Sequence, residues 1–453
     1  MDERNALKQL SIDELVEIIL ALQAKIQDLE NRLNRPPKTP SNSSTPPSQG
    51  RKGKRPKEKL QGKRGPKAGH AGSSRTKREP DITVELRVEQ CAVCGADLRE
   101  VPQTVIGSSQ VIELPPVRPV VIEAQRCAVR CPVCGETQRA DYPAGLEPER
   151  VFGPRLEASA HYLHLTHPLS YVRTQDILRD LLGLDISLGA LVNVVKRASG
   201  TFHEAAQAIL NDIRASGVIG SDETGMRVDG QTAWLWTVQT PTSAYYTIAP
   251  TRGAAVLDTL MGDTVPIVWV SDLAKAQLKQ PATLRQICLA HQTRDLQYAI
   301  DAHRCAWAYR FQALLFRAQR LGQQRNTIPP HEYGRQVVAI ERACDALLEE
   351  LPASPDSQNL RRRFLLHRDH LFTFLVVPNV PPTNNASEQA LRNSVIYRKV
   401  TGGFRSDWGA AAYANVVSVI ETARRRGQNL LDTLLSLLVP PLDLASSFVA
   451  QGE

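Results

Sequence analysis

Three acids and two pairs of cysteines are the residues of this 453-residue chain whose types and spacing could do chemistry. Asp222 lies in residues 218–236, an apolar run that Asp229-Gly230 folds back on itself, because that dipeptide favours the positive φ values of a tight type I′ hairpin. A carboxylate inside a strand that reads as core is costly unless it is paired or binds a cation. Val265-Pro-Ile-Val-Trp-Val-Ser-Asp272 is a second apolar run ending in an acid, as expected of a buried central strand whose tip opens into a site. Glu388 stands in Thr383-Asn-Asn-Ala-Ser-Glu388-Gln-Ala-Leu-Arg392, after a proline-rich break, with Asn384 or Asn385 able to cap a helix. On that helix Arg392, Val395 and Lys399 share the face of Glu388, so cations would flank any metals there, where phosphate must lie. Three carboxylates facing one another cannot all stay ionised without cations. Two Mg²⁺ (or Mn²⁺) ions roughly 4 Å apart would neutralise them and clamp a phosphodiester.

Cys91-Ala-Val-Cys94-Gly and Cys131-Pro-Val-Cys134-Gly are two metal knuckles, with thiols at i and i+3 and a glycine that permits the tight turn. Four thiolates around one Zn²⁺ leave no open position, so this ion would be structural. Cys127 is a spare that could replace Cys131. Motifs for nucleotide phosphates (Gly-Lys-Ser/Thr), zinc proteases (His-Glu-x-x-His) and serine hydrolases (Gly-x-Ser-x-Gly) are absent, which removes those readings.

The elements that must position the acids follow in a definite order. Two strands in residues 218–236 on either side of Asp229-Gly230, a third at 243–249, a helix at 252–261 closed by Gly262, and the strand ending at Asp272 give strand, strand, strand, helix, strand. A fifth strand is expected at Cys288–His291. This order, with acids on the first and fourth strands, resembles the ribonuclease H-like fold, whose third carboxylate comes from a later helix.

A family resemblance rests on more of the chain. Asp222-Glu-Thr, Trp234-Leu-Trp, Cys288-Leu-Ala-His291, Asn384-Asn-Ala-Ser-Glu388-Gln-Ala-Leu-Arg392, the Arg398-Lys399 pair and Ser418-Val-Ile-Glu-Thr-Ala423 resemble the insertion-sequence-66 type of DDE transposase. The amino-terminal order of helix, basic segment with Gly-His-Ala-Gly and cysteine module is similar as well. The chain departs from the pattern at Leu273-Ala-Lys-Ala-Gln277, which lacks an aromatic residue, and at Gln-Thr-Arg after His291, where paired basics are expected. The resemblance implies a polynucleotidyl transferase with Asp222, Asp272 and Glu388 as catalytic metal ligands. It would cut element ends by water attack, then join the freed 3′-hydroxyl to target DNA. A metal-dependent nuclease that cuts without joining, and a catalytically silent DNA-binding descendant, are the alternatives. Its partners would be double-stranded DNA, a second copy of the chain or a higher oligomer, and small accessory proteins of the same element.

Charge and periodicity divide the rest. Residues 1–35 read as a coiled-coil dimerisation helix: Ser11 and Glu14 form a capping box, Ile12, Ile19, Ile26 and Leu33 recur every seven residues, and Leu15, Leu22 and Leu29 follow three later. The alternative is an amphipathic helix folded back on its own chain. Residues 36–80 begin as a Pro/Ser-rich mobile linker and become strongly basic. The net charge is +8, yet residues 51–78 hold twelve Lys or Arg against one Glu, a local +11 that leaves −3 elsewhere. Such an arm, with Lys63, Arg64, Lys67 and His70, suits DNA phosphate. Residues 81–150 form the zinc module. Residues 151–215 read as helix-turn-helix-like, capped at Ser187, with Asn193, Lys196 and Arg197 outward. His161, His164 and His167 read as packing or surface residues. The catalytic domain takes 216–300 and 377–440, interrupted by a helical insertion at 301–376, and is followed by a tail at 441–453. Arg405, between the last helices, reads as a phosphate contact. Eight cysteines in so long a chain and no run of 18 apolar residues argue against secretion and membrane insertion, which makes a cytoplasmic location the expectation.

Overall fold

The computed structural model describes residues 11–33, 35–40, 42–43, 76–142, 146–148 and 150–438. Lys63, Arg64, Lys67, His70 and the tail at 441–453 lie outside them. Helix α1, Ile12–Leu33, opens on the expected reciprocal cap: the Ser11 N–H donates to Glu14 Oε2 at 2.7 Å and the Glu14 N–H to Ser11 Oγ at 3.3 Å. Ile12, Ile19, Leu22 and Ile26 stand exposed along it and Leu15 is half-buried; the side chains of Leu29 and Leu33 lie outside the described residues. The first linker residues are docked rather than free, because Asn42 closes a turn on the Thr39 N–H at 2.7 Å and is 7% exposed.

Residues 76–142 contain little regular structure beyond an antiparallel hairpin, β1 Ala128–Arg130 with β2 Thr137–Arg139. Helices α2 (Pro154–His161), α3 (Tyr171–Leu182), α4 (Leu188–Arg197) and α5 (Ser199–Arg214) follow, α2 running into a π-helical turn at Tyr162–Thr166. Gly183, at φ 63°, ends α3, and Ser187 accepts the Ala190 N–H to begin α4, so the expected pair of helices and its turn are present.

A five-stranded mixed sheet makes the centre of an α+β domain. Its strands are β3 (Val218–Val228), β4 (Gln231–Gln239), β5 (Ala244–Ala249), β6 (Val268–Ser271) and β7 (Leu284–Ile287), in spatial order β5-β4-β3-β6-β7. The first three pair antiparallel through the expected turn, with Asp229 at φ 46° and Gly230 at 72°; β6 and β7 run parallel to β3. Helix α6 (Ala254–Met261) and the short α7 (Lys275–Leu278) connect the later strands. Alternation assigns the two faces of the sheet. Trp269 packs with Trp236, Phe202 and Tyr413 on one side, while its neighbours Val268 and Val270 join Ile287, Trp307, Phe311 and Phe364 on the other.

The second core is built mainly from helices that follow β7. These are α8 (Leu289–His303), α9 (Ala306–Gln323), α10 (Pro330–Glu349), α11 (Pro355–Leu366) and α12 (Thr373–Val376). Helices α13 (Asn385–Thr401), α14 (Asp407–Arg425) and α15 (Leu430–Leu437) complete the first. Edge strand β5 is protected by α14, whose Ser418 and Thr422 hydroxyls accept the Tyr246 and Ala244 N–H groups at 2.8 and 3.0 Å.

One expectation fails here. Strand β7 ends at Ile287, and Cys288 is the N-cap of α8, so Cys288–His291 opens a helix rather than forming the fifth strand. The Cys288 N–H bonds Ser271 O at 2.8 Å, continuing the ladder one step, and the amphipathic run after it then favours helix.

Candidate active site

Parallel register brings the first two acids together. Matched pairing of β3 with β6 ends at Gly220 against Val270, and Asp222 and Asp272 each stand two residues further on, at the same end of neighbouring strands. Asp222 Oδ1 accepts the Glu223 N–H at 2.8 Å, and Asp272 Oδ1 accepts the Ala274 N–H at 2.9 Å. Burial pushes the Asp222 carboxyl well above the usual carboxylate range, and the charges of Asp272, Glu223 and Glu388 push it further. Glu388 therefore lies within electrostatic reach of Asp222.

Asn384 seats the third acid, although not as the side-chain cap expected from the sequence. Buried at 1% exposure, it donates Nδ2–H to Ser221 O at 2.8 Å and its backbone N–H to Cys288 Sγ at 3.1 Å, and it accepts the Ser387 hydroxyl at 2.7 Å. The first turn of α13 is thereby tied to the residue before Asp222. Gln239 Nε2 donates to Ser387 Oγ at 3.1 Å directly over Gly220. A methyl on Gly220 would collide with that amide and come within 3.0 Å of Ser387 Oγ. Gly220→Ala is thus expected to cost about 1–3 kcal/mol, read as a lowered thermal midpoint. An unchanged midpoint would mean that α13 is not held against β3 at this point.

Asp222 also predicts a pH effect. A carboxyl with a raised folded pKa keeps a proton that the unfolded chain has released above its ordinary value of about 3.9. The fold therefore loses stability as pH rises from there toward the folded pKa. In Mg²⁺-free buffer, the thermal midpoint of the wild type should fall relative to that of Asp222→Asn as the pH is raised above about 4. Parallel profiles for the two proteins would remove Asp222 as the strained group.

Several pairings in the site carry no signal in the sequence. Glu223, 9% exposed, accepts Arg252 Nε–H and Gln277 Nε2–H, each at 2.6 Å, and the Arg252 guanidinium lies 5.0 Å from the centre of the Trp234 ring. Arg252 and Arg363 line a cavity of about 290 Å³ together with Asp272, His291 and Asp295, with Arg363 paired to Asp295 at 2.8 Å. Arg294 Nη2 stands 3.3 Å and His291 Nδ1 3.7 Å from Glu388 Oε1. Only contact across 29 to 94 residues of sequence reveals these pairings.

The expected DNA contacts divide into free and engaged cations. Lys196, Arg392, Lys399 and Arg405 are exposed. Arg392 shares a cavity of about 340 Å³ with His167, Gln389 and Arg424. Arg398 instead donates to Gly225 O, and Arg197 pairs with Glu157, itself 2% exposed and bound by Arg150 at 2.7 Å. These two arginines hold the fold. His161 and His164 are packing residues, donating to Glu157 O at 2.7 Å and Leu169 O at 2.6 Å, while His167 is exposed.

Both cysteine knuckles adopt one turn. The Gly95 and Gly135 N–H groups each donate at 2.9 Å to the carbonyl of the first cysteine, Cys91 or Cys131, and the glycines sit at φ 74° and 75°. Backbone N–H groups of Cys94 and Val93 hold the Cys91 thiol below its ordinary pKa, and those of Cys134 and Val133 do the same for Cys131. Such thiolate-favouring turns suit zinc. Cys127 is exposed at the base of the hairpin, where its carbonyl accepts the Ala140 N–H at 3.0 Å. Among the described residues, the only three His, Cys, Asp or Glu ligand atoms within 4.8 Å of one another are those of Cys288, His291 and Glu388, so the knuckles stand as separate halves.

No helix among the described residues is long and apolar enough to cross a membrane. No curated protein matches the chain. The family model for the zinc-finger binding domain of IS66 transposases matches residues 89–135, spanning both knuckles, and the model of the IS66 transposase family matches residues 149–412. The second match covers over half of the chain and includes the sheet, the insertion and all three acids, so the chain belongs to the IS66 family of transposases.

Proposed function

We propose that this chain binds the ends of an insertion element and cuts and joins DNA on a ribonuclease H-like core, with Asp222, Asp272 and Glu388 as its catalytic carboxylates. The observation that carries the reading is the shared register of Asp222 and Asp272 at one end of parallel strands, with Glu388 close enough to raise the Asp222 pKa. The strand order, antiparallel then parallel about β3, supports the fold assignment.

Two Mg²⁺ or Mn²⁺ ions held by these carboxylates would supply charge neutralisation, activation of the attacking oxygen and stabilisation of the leaving one. The remaining work falls to side chains. Arg252 and Arg363 draw a strand phosphate toward Asp272, Arg294 and His291 flank Glu388, and Arg392, Lys399 and Arg405 carry the DNA along α13. Water attack frees a 3′-hydroxyl, which then attacks the target phosphodiester in the same site without a covalent protein intermediate. The basic arm adds affinity that does not depend on sequence, Lys196 and Asn193 on α4 face the duplex, and one Zn²⁺ held by Cys91, Cys94, Cys131 and Cys134 ties the knuckles together. The exposed stripe of α1 supports a parallel dimer.

Pre-cut element ends incubated with a target plasmid and Mg²⁺ test the joining step. Covalently joined products are expected; cleavage of uncut ends without any joining would leave a nuclease. Arg363→Ala should weaken end binding by about tenfold and flatten its salt dependence, since one phosphate contact is lost. Binding with an unchanged salt slope would take Arg363 off the DNA path.

A further inference from the structure

We infer that Cys288, His291 and Glu388 form a binding site for a thiophilic transition metal, Zn²⁺ foremost, and that its occupation withdraws Glu388 from the two strand acids. One ligand atom from each residue falls within 4.8 Å of the others. Around a tetrahedral zinc with bonds of 2.0–2.3 Å, such atoms lie about 3.3–3.8 Å apart, so closure needs movements of roughly 1 Å. The half-buried Glu388 side chain can supply that movement.

Each ligand is prepared for the role. Cys288 is the N-cap residue of α8, and the backbone N–H of Asn384 donates to its sulfur at 3.1 Å. Burial holds the thiol above its ordinary pKa and backbone N–H donors only partly offset this, so the metal itself must displace the proton. Zinc binding forms a Zn–S bond and releases the thiol proton to solvent. His291 Nδ1 is buried without any hydrogen bond, and Glu388 Oε1, at 3.7 Å, is too distant to provide one. A bound cation would satisfy this orphaned nitrogen. The donor set sorts metals by softness: sulfur, imidazole and one carboxylate suit zinc, whereas Mg²⁺ demands oxygen and prefers the carboxylates. Glu388 belongs to both sets, so the two sites compete for it. Arg294, now 3.3 Å from Glu388, would have to yield or share the carboxylate.

Cobalt is the spectroscopic probe. Full-length protein carrying one equivalent of zinc in its knuckles is titrated with Co²⁺. A second equivalent should bind with a single-thiolate charge-transfer band and tetrahedral visible absorption. Cys288→Ser should abolish the band and His291→Asn weaken it, with the first zinc retained and the thermal midpoint reporting that both variants fold. Absence of the band in wild type, or its persistence in Cys288→Ser, overturns the site. The inhibitory consequence rests on the catalytic reading. Micromolar Zn²⁺ should slow Mg²⁺-driven end cleavage about tenfold in wild type and leave Cys288→Ser close to its own Mg²⁺ rate. Equal inhibition of both proteins overturns the competition for Glu388. A wild type that shows the cobalt band yet never cleaves with Mg²⁺ overturns the catalytic reading and leaves the metal site standing.

Discussion

Asp222→Asn is expected to reduce strand cleavage and strand transfer by about a thousandfold or more while end binding stays within a few-fold of wild type. The substitution keeps the shape and the acceptor for the Glu223 N–H but removes the charge at the point where the other acids converge. It also removes a repulsion, so the variant should melt higher than wild type in Mg²⁺-free buffer. Loss of activity with a raised midpoint separates a catalytic defect from misfolding. Cleavage by the variant at the wild-type rate would reassign the site. Gel-shift binding and a cleavage time course on the same protein preparation provide both readings.

The outcome matters because the acids were legible in the sequence while their setting was not. Asp222 and Asp272 can be found because each interrupts or ends an apolar run, and the hairpin at Asp229-Gly230 fixes the direction of the first strand. Glu388 follows from a cap-like asparagine pair before a helix. Periodicity and turn chemistry are local, so they survive in one dimension. Asn384 reads as a side-chain cap, and is not one, for the converse reason. Its amide is drawn off the helix end by Ser221 O, a partner 163 residues away that no local pattern reveals. The fifth strand lies earlier than expected because Leu284-Arg-Gln-Ile287 is too short and mixed to alternate visibly, whereas Cys288-Leu-Ala-His291 is apolar and reads as strand. Arg197 and Arg398 looked like free cations, but a buried glutamate and a backbone carbonyl occupy them. Charge in a sequence shows that a partner is needed, and the fold decides whether that partner is nucleic acid or protein.

The same limit shapes the largest stability effect expected of this chain, the loss of the zinc module's fold when its metal is removed. In residues 76–142 the regular structure is a hairpin of two three-residue strands. Ile82, Val84, Leu86, Ile106, Val111, Leu114 and Val121 remain exposed, most of them above 80%. Apolar burial is therefore not what would hold this segment together, and a module of this size normally relies on its metal. Structural zinc contributes on the order of 10 kcal/mol to such folds. Stripping it with a chelator, or replacing Cys94 and Cys134 by serine, should make this segment protease-sensitive and weaken end binding. The domain from residue 150 onward should keep its melting transition, because its two cores draw no residue from the module. A chelated protein whose module resists protease as before would show that backbone turns alone maintain the knuckles. A domain transition that fell together with the module would show that zinc supports the catalytic core as well.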